Sequence, residues 1–287
     1  MDNGISQRQN EEKSIMMLAA QRQLYSDAKV LDSLGITLSV IIPFVMSFVL
    51  LFVSGNSTIV TTSYLVTIIS AVISFLVDGI VSKKKELAAS IQQKFDTYVY
   101  AMPWDSRIFG KEKAFNNEIA QYSKKIMSDP QKKATLYNWY TPIIDSRSLY
   151  DGILFCQREN IWWDVGLRKR FKAASIIIII AMCVIIFGMG IYQNESVVRL
   201  LSRFAFVAPM IEWLLGTVKQ INEDIDSLNE LDDCVREKHV RTMEELQDIQ
   251  KLLFNHRKKC LSIPNVFYAI FKDNDEDRAR HTAEIDN

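Results

Sequence analysis

The sequence lacks most of the features that identify an enzyme or a protein that binds nucleic-acid polymers. Its 34 basic residues are balanced by 34 acidic residues, so no net positive charge attracts the chain to DNA or RNA. The ten glycines are scattered and form no phosphate-binding loop, and G-x-S-x-G and H-E-x-x-H motifs are absent. We therefore expect no catalytic site, no cofactor and no DNA or RNA partner.

Cysteine and histidine are too few and too dispersed to predict a disulfide framework or a metal site. The four cysteines form no C-x-x-C pair, and Cys156 has no histidine near it in the sequence. We interpret Cys156 as a buried packing residue and not as a nucleophile. His239, His256 and His281 stand far apart, so we assign all three to the surface and predict no metal site.

Charge is missing from three stretches of the chain and dense elsewhere, which is the pattern of a polytopic membrane protein. The charge-free stretches are 34–54, 57–77 and 173–193. At about 1.5 Å per residue, each is long enough for a helix that crosses a hydrocarbon core of about 30 Å. The N-terminus lacks the basic-then-apolar order of a signal peptide, so we expect the first stretch to remain in the mature protein.

A fourth apolar stretch, 197–218, differs because it contains Arg199, Arg203 and Glu212. On hydropathy alone it is a span or an interfacial helix, and its position directly after the third span favours a span. Arg199 and Arg203 share one helix face because they are four residues apart. These charges either line an aqueous pore or belong to snorkelling arginines with an acid at the cytoplasmic interface.

Short connections between the spans predict two transmembrane hairpins, 34–81 and 173–218. Lysines at 83–85 follow the second span and a basic cluster at 168–172 precedes the third, whereas the turns inside the hairpins contain no Lys or Arg. Positive residues concentrate on the cytoplasmic side of membrane proteins. We therefore expect the loop between the hairpins and both termini to be cytoplasmic.

The remaining segments predict one helical cytoplasmic domain. It comprises an N-terminal amphipathic helix within 1–33, the loop 82–172 and C-terminal helices within 219–271, with a single long polar helix over 216–259. The acidic residues 272–287 are expected to form a disordered tail. The predicted fold class is an all-α membrane protein with four transmembrane helices in two hairpins and a helical cytoplasmic domain. That domain is formed by the N-terminal helix, the central loop and a long C-terminal helix.

Within the central loop, apolar positions keep helical spacing after the second span as far as Met102; these positions are Leu87, Ile91, Phe95, Tyr98 and Met102. We expect this helix to continue the second span until Pro103 ends it, because the residue before a proline avoids helical geometry. A second helix is predicted over 111–128. The loop is therefore structured and not a linker.

The stretch from Arg158 to Trp163 is the strongest candidate for a binding site. Its tryptophans, Trp162 and Trp163, lie about ten residues before the third span, too far for an interfacial belt unless the helix continues through 164–171. A guanidinium binds phosphate, the amide of Asn160 suits a base edge, and an indole stacks on a nucleobase. The stretch is therefore either a ligand site or packed core.

Two blocks of sequence resemble the signature blocks of the SMODS-associated four-transmembrane effectors of bacterial anti-phage defence. They are RQNEEKSIMMLAAQRQLYSDAK (8–29) and CQRENIWWDVGLR (156–168), and the resemblance covers nearly the whole chain. A weaker block, IPNVFY, departs from the family pattern at Asn265 and Val266. The matching positions are Arg8, Gln9, Asn10, Ala20, Gln21, Arg22, Tyr25, Lys29, Cys156, Gln157, Arg158, Asn160, Trp163, Asp164 and Arg168.

The resemblance implies an effector of cyclic-oligonucleotide-based anti-phage signalling (CBASS). Such effectors work beside a cyclic GMP-AMP synthase-like nucleotidyltransferase, whose product would be a cyclic di- or trinucleotide. The effector would bind this cyclic oligonucleotide in the cytoplasm, then oligomerise or open in the bacterial inner membrane and cause abortive infection. The expected ligand-binding residues are Arg158, Asn160, Trp162, Trp163, Gln21 and Arg22.

One alternative from another class is a non-gated membrane scaffold or adaptor. Its cytoplasmic helices would recruit a protein partner, and Trp162 and Trp163 would pack in the core. A response of the protein to cyclic nucleotides distinguishes the two interpretations.

Overall fold

A computed structural model of the chain describes residues 3–46, 57–194, 196–237, 242–265 and 267. These residues form helices and connecting segments without a β-strand, so the predicted all-helical class is confirmed for them. The predicted acidic tail, 272–287, lies outside the described residues, as does the end of the first predicted span. The chain divides into two compact units, which we number 1 and 2. Unit 1 comprises Met1–Lys29, Ser82–Leu167 and Asp224–Asn287, and unit 2 comprises Val30–Val81 and Arg168–Glu223.

The helices are numbered in chain order. α2 begins at Glu12 and continues past Ile36 through a π-helical stretch, Thr37–Ile41, as far as Met46. The other helices are α1 (Ile5–Gln9), α3 (Ser57–Val99), α4 (Ser106–Phe109), α5 (Asn116–Met127), α6 (Pro130–Ala134), α7 (Leu149–Tyr192), α8 (Val197–Glu237) and α9 (Met243–Lys259). The chain passes between the two units four times, each time inside one of the long helices α2, α3, α7 and α8. Two short 3-10 helices, Glu112–Phe115 and Pro142–Ser146, complete the loop region.

Three helices of the described part of the chain, α2, α3 and α7, are long and apolar enough to cross a membrane. They include the described part of the first charge-free stretch, 34–46, and nearly all of the other two. α8, which contains the predicted fourth span, is not among them. It is a single helix of 41 residues with Pro209 in its interior. The arrangement of four spans in two hairpins therefore stays a prediction.

The core of unit 1 joins helices from both ends of the chain. Leu18 of α2, Phe95 of α3 and Ile153 of α7 are fully buried in one cluster. A second cluster packs Ile161 of α7 against Ile249 of α9 and apolar residues of α8. Each such side chain contributes about 1.5–3 kcal/mol through removal of its apolar surface from water. The expected continuation of the second span into unit 1 is confirmed, because α3 runs unbroken to Val99.

α3 ends before Pro103, the stop predicted from the sequence. Its last helical residue is Val99, and Ala101 adopts a positive φ of 52°. The amides of Ala101 and Met102 donate to the carbonyls three and five residues before them, at 3.1 Å and 2.9 Å. This Schellman motif satisfies the last carbonyls of the helix and reverses the chain.

The single helix predicted over 216–259 is in fact two helices. α8 ends at Glu237 and α9 begins at Met243. Thr242 caps α9: its hydroxyl accepts a hydrogen bond from the Glu245 amide at 3.3 Å, and its own amide donates to the Glu245 carboxylate at 3.2 Å. This capping box provides partners for amides that a helix start leaves unpaired, so it defines a new helix.

Unit 2 has the surface that a lipid environment requires. Phe75 of α3 and Tyr192 of α7 are 78% and 88% exposed. The buried face of α3 carries small side chains instead, and Ser74 donates its hydroxyl to the Gly35 carbonyl of α2 at 3.2 Å. Small residues at helix contacts and apolar residues outside are typical of helices that pack within a bilayer.

Candidate ligand-binding site

A group of polar side chains is enclosed in the apolar core of unit 1, and we name it the polar cluster: Asp96, Tyr100, Tyr140, Gln250 and Arg257. The Asp96 carboxylate is fully buried and accepts hydrogen bonds from the Tyr140 hydroxyl at 2.7 Å and the Gln250 amide at 2.9 Å. Arg257 donates to it at 2.6 Å. Tyr100 in turn donates to the Tyr140 hydroxyl at 2.7 Å.

Helical spacing explains how three separate elements build the polar cluster. Gln250 and Arg257 are seven residues apart on α9, so two helical turns place them on one face. Asp96 projects from α3 one turn before its end, beside the loop that carries Tyr140. The backbone of Tyr140 is held by Gln9 of α1, which donates to its carbonyl at 3.2 Å and accepts from its amide at 2.8 Å.

The charges of the polar cluster are fixed by its surroundings. Burial alone would lower the pKa of Arg257, but Asp96 and Tyr140 beside it raise the pKa above its ordinary value. Burial raises the pKa of Tyr100 and of Tyr140 well above the usual range for a phenol. The guanidinium is therefore charged and both phenols stay protonated. A buried ion pair offsets its desolvation cost only when hydrogen bonds satisfy the remaining donors and acceptors.

Asn160, a residue of the sequence-predicted site, contacts the polar cluster. Its side-chain amide donates to the Tyr140 hydroxyl at 3.1 Å. Gln157, three residues earlier on the same face of α7, donates to the Gln250 side chain at 3.1 Å. Gln250 donates to Gln93 of α3 at 3.1 Å. The side-chain amide of Asn160, which was predicted to bind the edge of a base, thus faces a polar interior shared by α3, α7 and α9.

Arg158 and Trp162 lie on another face of α7, because two residues along a helix correspond to a rotation of about 200° from Asn160. The guanidinium carbon of Arg158 is 4.4 Å from the centroid of the Trp162 ring. The Trp162 indole donates to Asp232 of α8 at 3.1 Å. Trp163 is half-buried. The structure pairs the predicted phosphate ligand with the predicted stacking ring, but it places the base-reading amide elsewhere.

Gln21 and Arg22 of α2 occupy different environments. Gln21 is buried, and its Oε1 has no hydrogen-bond partner among the described residues. Arg22 donates to the Thr135 hydroxyl at 2.6 Å, and its guanidinium carbon is 6.0 Å from the Trp139 ring centroid.

Several buried polar atoms near the predicted site have no hydrogen-bond partner among the described residues. They include Nε2 of Gln93, Oε1 of Gln157, Nη2 of Arg257 and Nε of Arg158. A buried polar group that stays unsatisfied costs about 1–3 kcal/mol, so most such groups in proteins bind water or a ligand. This interior therefore favours a polar molecule over an apolar one.

Glu159 introduces an acidic group beside Arg158. Its carboxylate accepts a hydrogen bond from the Thr141 hydroxyl at 2.8 Å. Burial raises the pKa of Glu159 above its ordinary value, and the Thr141 contact opposes this effect in part. The carboxyl group of Glu159 therefore takes up a proton at a higher pH than an exposed glutamate does.

A groove in unit 1 was not found by sequence reasoning. It has a volume of about 490 Å³, and its walls combine cations with phenyl rings. Lys258 pairs with Glu86 at 2.5 Å and lies 5.3 Å from the Phe254 ring centroid. Basic and aromatic residues in three separate segments were the only signal in the sequence. The cations and rings that line the groove are Lys83, Arg107, Lys258, Phe109, Phe115 and Phe254.

The predicted polar face of the fourth apolar stretch lies in unit 2. Arg199 and Glu212 are exposed on α8. Arg203 belongs to the same helix, but its side chain lies outside the described residues. The geometry does not distinguish pore lining from snorkelling, so the role of these charges stays a prediction.

Two residues that sequence reasoning set aside have defined environments. Cys156 is fully buried, as expected, and burial raises the pKa of its thiol well above the usual range. His256 was assigned to the surface, and this is wrong: it is 8% exposed. Its Nε2 lies 3.0 Å from a carboxylate oxygen of Asp164. The sequence separation of 92 residues conceals this contact.

Comparison with known proteins gives a match over almost the whole chain. The model of the SMODS-associating 4TM effector domain matches residues 3–285. A protein from Bacillus cereus (strain VD146), described as a probable CBASS effector molecule, is 25% identical over 193 residues. That alignment covers 66% of this chain and 64% of the relative, so the chain matches less than two thirds of the relative's length. No solved structure matches the chain.

Proposed function

Because the chain belongs to the SMODS-associating 4TM effector domain family, we propose that it is a membrane effector of CBASS. In this proposal a cyclic oligonucleotide binds unit 1, and the protein then oligomerises or opens and disrupts the bacterial inner membrane. The observation that carries the proposal is the family match along residues 3–285. The ligand would be a cyclic di- or trinucleotide made by a cyclic GMP-AMP synthase-like nucleotidyltransferase.

The division of the chain into two units supports this function. Unit 1 has a polar interior and a groove lined by cations, whereas unit 2 exposes large apolar side chains. Four helices contribute residues to both units without a break. A ligand that binds one arrangement of unit 1 more tightly than another can therefore act on the apolar helices through continuous backbone.

For the ligand site we retain the residues predicted from the sequence. Arg158 would pair with a phosphate, since its guanidinium is held over an indole and its Nε lacks a protein partner among the described residues. Trp162 or Trp163 would stack on a base, and Asn160 would read a base edge beside the polar cluster. Gln21 and Arg22 would complete the site.

The groove is a second position for the same ligand. Its cations, among them Arg107 and Lys258, suit phosphates, and its phenyl rings suit bases. Its volume of about 490 Å³ lies in the usual range for small-molecule sites. The side chain of Arg107 is 91% exposed, so this position can be tested without disturbance of the core.

The first test is thermal unfolding of the full chain in lipid nanodiscs with a series of cyclic di- and trinucleotides. A ligand at a hundredfold excess over its Kd stabilises the folded state by about 2.7 kcal/mol. For a domain of 150–250 residues this raises Tm by about 5–11 °C. If no cyclic oligonucleotide changes Tm, the scaffold interpretation replaces the effector interpretation.

Single variants then locate the site. Arg158→Ala removes a charge-assisted hydrogen bond of about 1.5–3 kcal/mol and should weaken binding at least tenfold. Trp163→Ala should weaken binding if the ring stacks on a base, and should only lower Tm if the ring is core. Arg107→Ala tests the groove, and Lys124→Ala, on the exposed side of α5, is the matched control. Weaker binding in Arg107→Ala alone would move the site to the groove.

The membrane part of the proposal has its own test. We place both termini and residues 82–172 in the cytoplasm, because the basic clusters flank this segment. Reporter fusions near Lys111 should report a cytoplasmic position, and an external position would refute this topology. Homo-oligomer formation would be followed by crosslinking in membranes with and without ligand.

A further inference from the structure

Three side chains of different chemistry converge where α9 meets α7 in unit 1. Asp164 lies on α7, His256 lies in the last turn of α9, and Cys260 is the residue directly after that helix. One carboxylate oxygen, one imidazole nitrogen and the thiol sulfur all lie within 4.8 Å of one another. The closest pair is His256 Nε2 and Asp164 Oδ2 at 3.0 Å.

We propose that Asp164, His256 and Cys260 form a zinc site. Carboxylate, imidazole and thiolate are the protein ligands of Zn²⁺, at about 2.0–2.3 Å from the metal. Tetrahedral geometry at those lengths needs ligand atoms about 3.3–3.8 Å apart, so rotations of the side chains suffice. The thiolate favours zinc over magnesium or calcium. Three protein ligands leave the fourth position for water or another molecule.

The backbone around Cys260 holds its sulfur near the imidazole. The Cys260 amide donates to the His256 carbonyl at 2.9 Å, and the Cys260 carbonyl accepts from Lys85 Nζ at 2.5 Å. His256 and Cys260 are four residues apart, which places both on one side of the helix end. The neighbouring cation, Arg257, is paired with Asp96 in the polar cluster. The positions of two ligands are therefore set before any metal binds.

A metal at this position would connect α7 to the end of α9. The site is adjacent in sequence to Arg257, so zinc would also restrict the element that completes the polar cluster. This inference is independent of the proposed nucleotide response, because it concerns the stability and composition of unit 1 alone.

The test is the metal content of the full chain. Protein treated with a chelator is incubated with Zn²⁺, separated from free metal, and analysed for zinc by mass spectrometry. We expect an equimolar amount of bound zinc and a higher Tm than in the metal-free protein. Loss of one zinc-binding side chain should weaken the affinity for Zn²⁺ by at least a hundredfold. Loss of a residue that only hydrogen-bonds to a metal-binding side chain already costs about 10–100-fold in affinity. Cys260→Ser and His256→Gln should therefore lose the zinc, whereas Cys234→Ser should retain it.

Cobalt provides a second measurement that does not depend on stability. Co²⁺ bound by a thiolate gives a charge-transfer absorption band, which Cys260→Ser should lose and Cys234→Ser should keep. A parent protein that binds no zinc would overturn the proposal. So would zinc content or a cobalt band in Cys260→Ser equal to those of the parent. If Cys260→Ser does not fold, the comparison of His256→Gln with the parent decides in the same way.

Discussion

The ion pair at the centre of the polar cluster gives the sharpest prediction. Asp96→Asn removes the negative charge that Arg257 contacts at 2.6 Å, with the Asp96 side chain fully enclosed and the Arg257 side chain 10% exposed. Removal of one partner from a buried pair leaves an uncompensated charge and costs about 3–5 kcal/mol. For a domain of 150–250 residues, Tm should fall by about 6–20 °C.

Thermal unfolding of the full chain in nanodiscs, followed by tryptophan fluorescence, measures this change. The matched control is the double variant Asp96→Leu with Arg257→Met, which replaces both charges by apolar side chains of similar length. Buried pairs replaced in this way often keep or gain stability, so the double variant should melt above Asp96→Asn. The single variants Asp96→Leu and Arg257→Met complete the cycle with the double variant and give the coupling energy of the two sites.

Two results would refute the reasoning. If Asp96→Asn melts within about 2 °C of the parent, the pair contributes less than about 1 kcal/mol and the cluster is accessible to water. If the double variant melts lower than the sum of the single effects, other hydrogen bonds of the cluster outweigh the ion pair.

Three further predictions concern other parts of the molecule. Burial raises the pKa of Glu159 above its ordinary 4.5, so the stability associated with its protonation is present below that pH and is lost as pH rises through the folded-state pKa. The Tm of Glu159→Gln should therefore exceed the Tm of the parent by more at about pH 8 than at about pH 4. An equal difference in Tm at the two pH values would contradict this. Ala101→Gly should raise Tm, since a left-handed Ala costs about 1–2 kcal/mol; a lower Tm would exclude that backbone geometry. Glu212→Leu should insert into membranes normally but reduce dye leakage from ligand-treated vesicles, and unchanged leakage would favour snorkelling.

The sequence predicted elements whose signals are local. Apolar spacing up to Phe95 predicted that α3 continues the second span, because helical periodicity is visible within one segment. The boundary between α8 and α9 was missed although Thr242 and Glu245 have the spacing of a capping box. The apolar positions over 216–259 were assigned to one helix although their heptad spacing lapses near His239. Both signals, the apolar spacing of α3 and the capping box of α9, involve residues that are close together in the sequence.

The polar cluster could not be predicted, because its partners are remote in sequence. Asp96 lies outside the apolar stripe of α3 that includes Phe95, and nothing local identifies Arg257 as its partner. The same limit applies to His256, whose partner Asp164 belongs to another helix. Arg158 and Trp162 are one turn apart on α7 and contact each other, but their role as ligand residues stays a prediction. Their separation from Asn160 around the helix follows from the helical geometry of residues 158–162 within α7.

The separation between Asp96 and Arg257 also determines when the polar cluster can form during synthesis. Arg257 is 161 residues after Asp96. At about 5–20 residues per second, the ribosome makes the partner roughly 8–32 s later. By then the apolar segments of α2, α3, α7 and α8 have all left the ribosome. A chain that stops before α9 therefore carries the apolar segments of α2, α3, α7 and α8 but cannot assemble the polar cluster, so synthesis of α9 is a condition for that assembly.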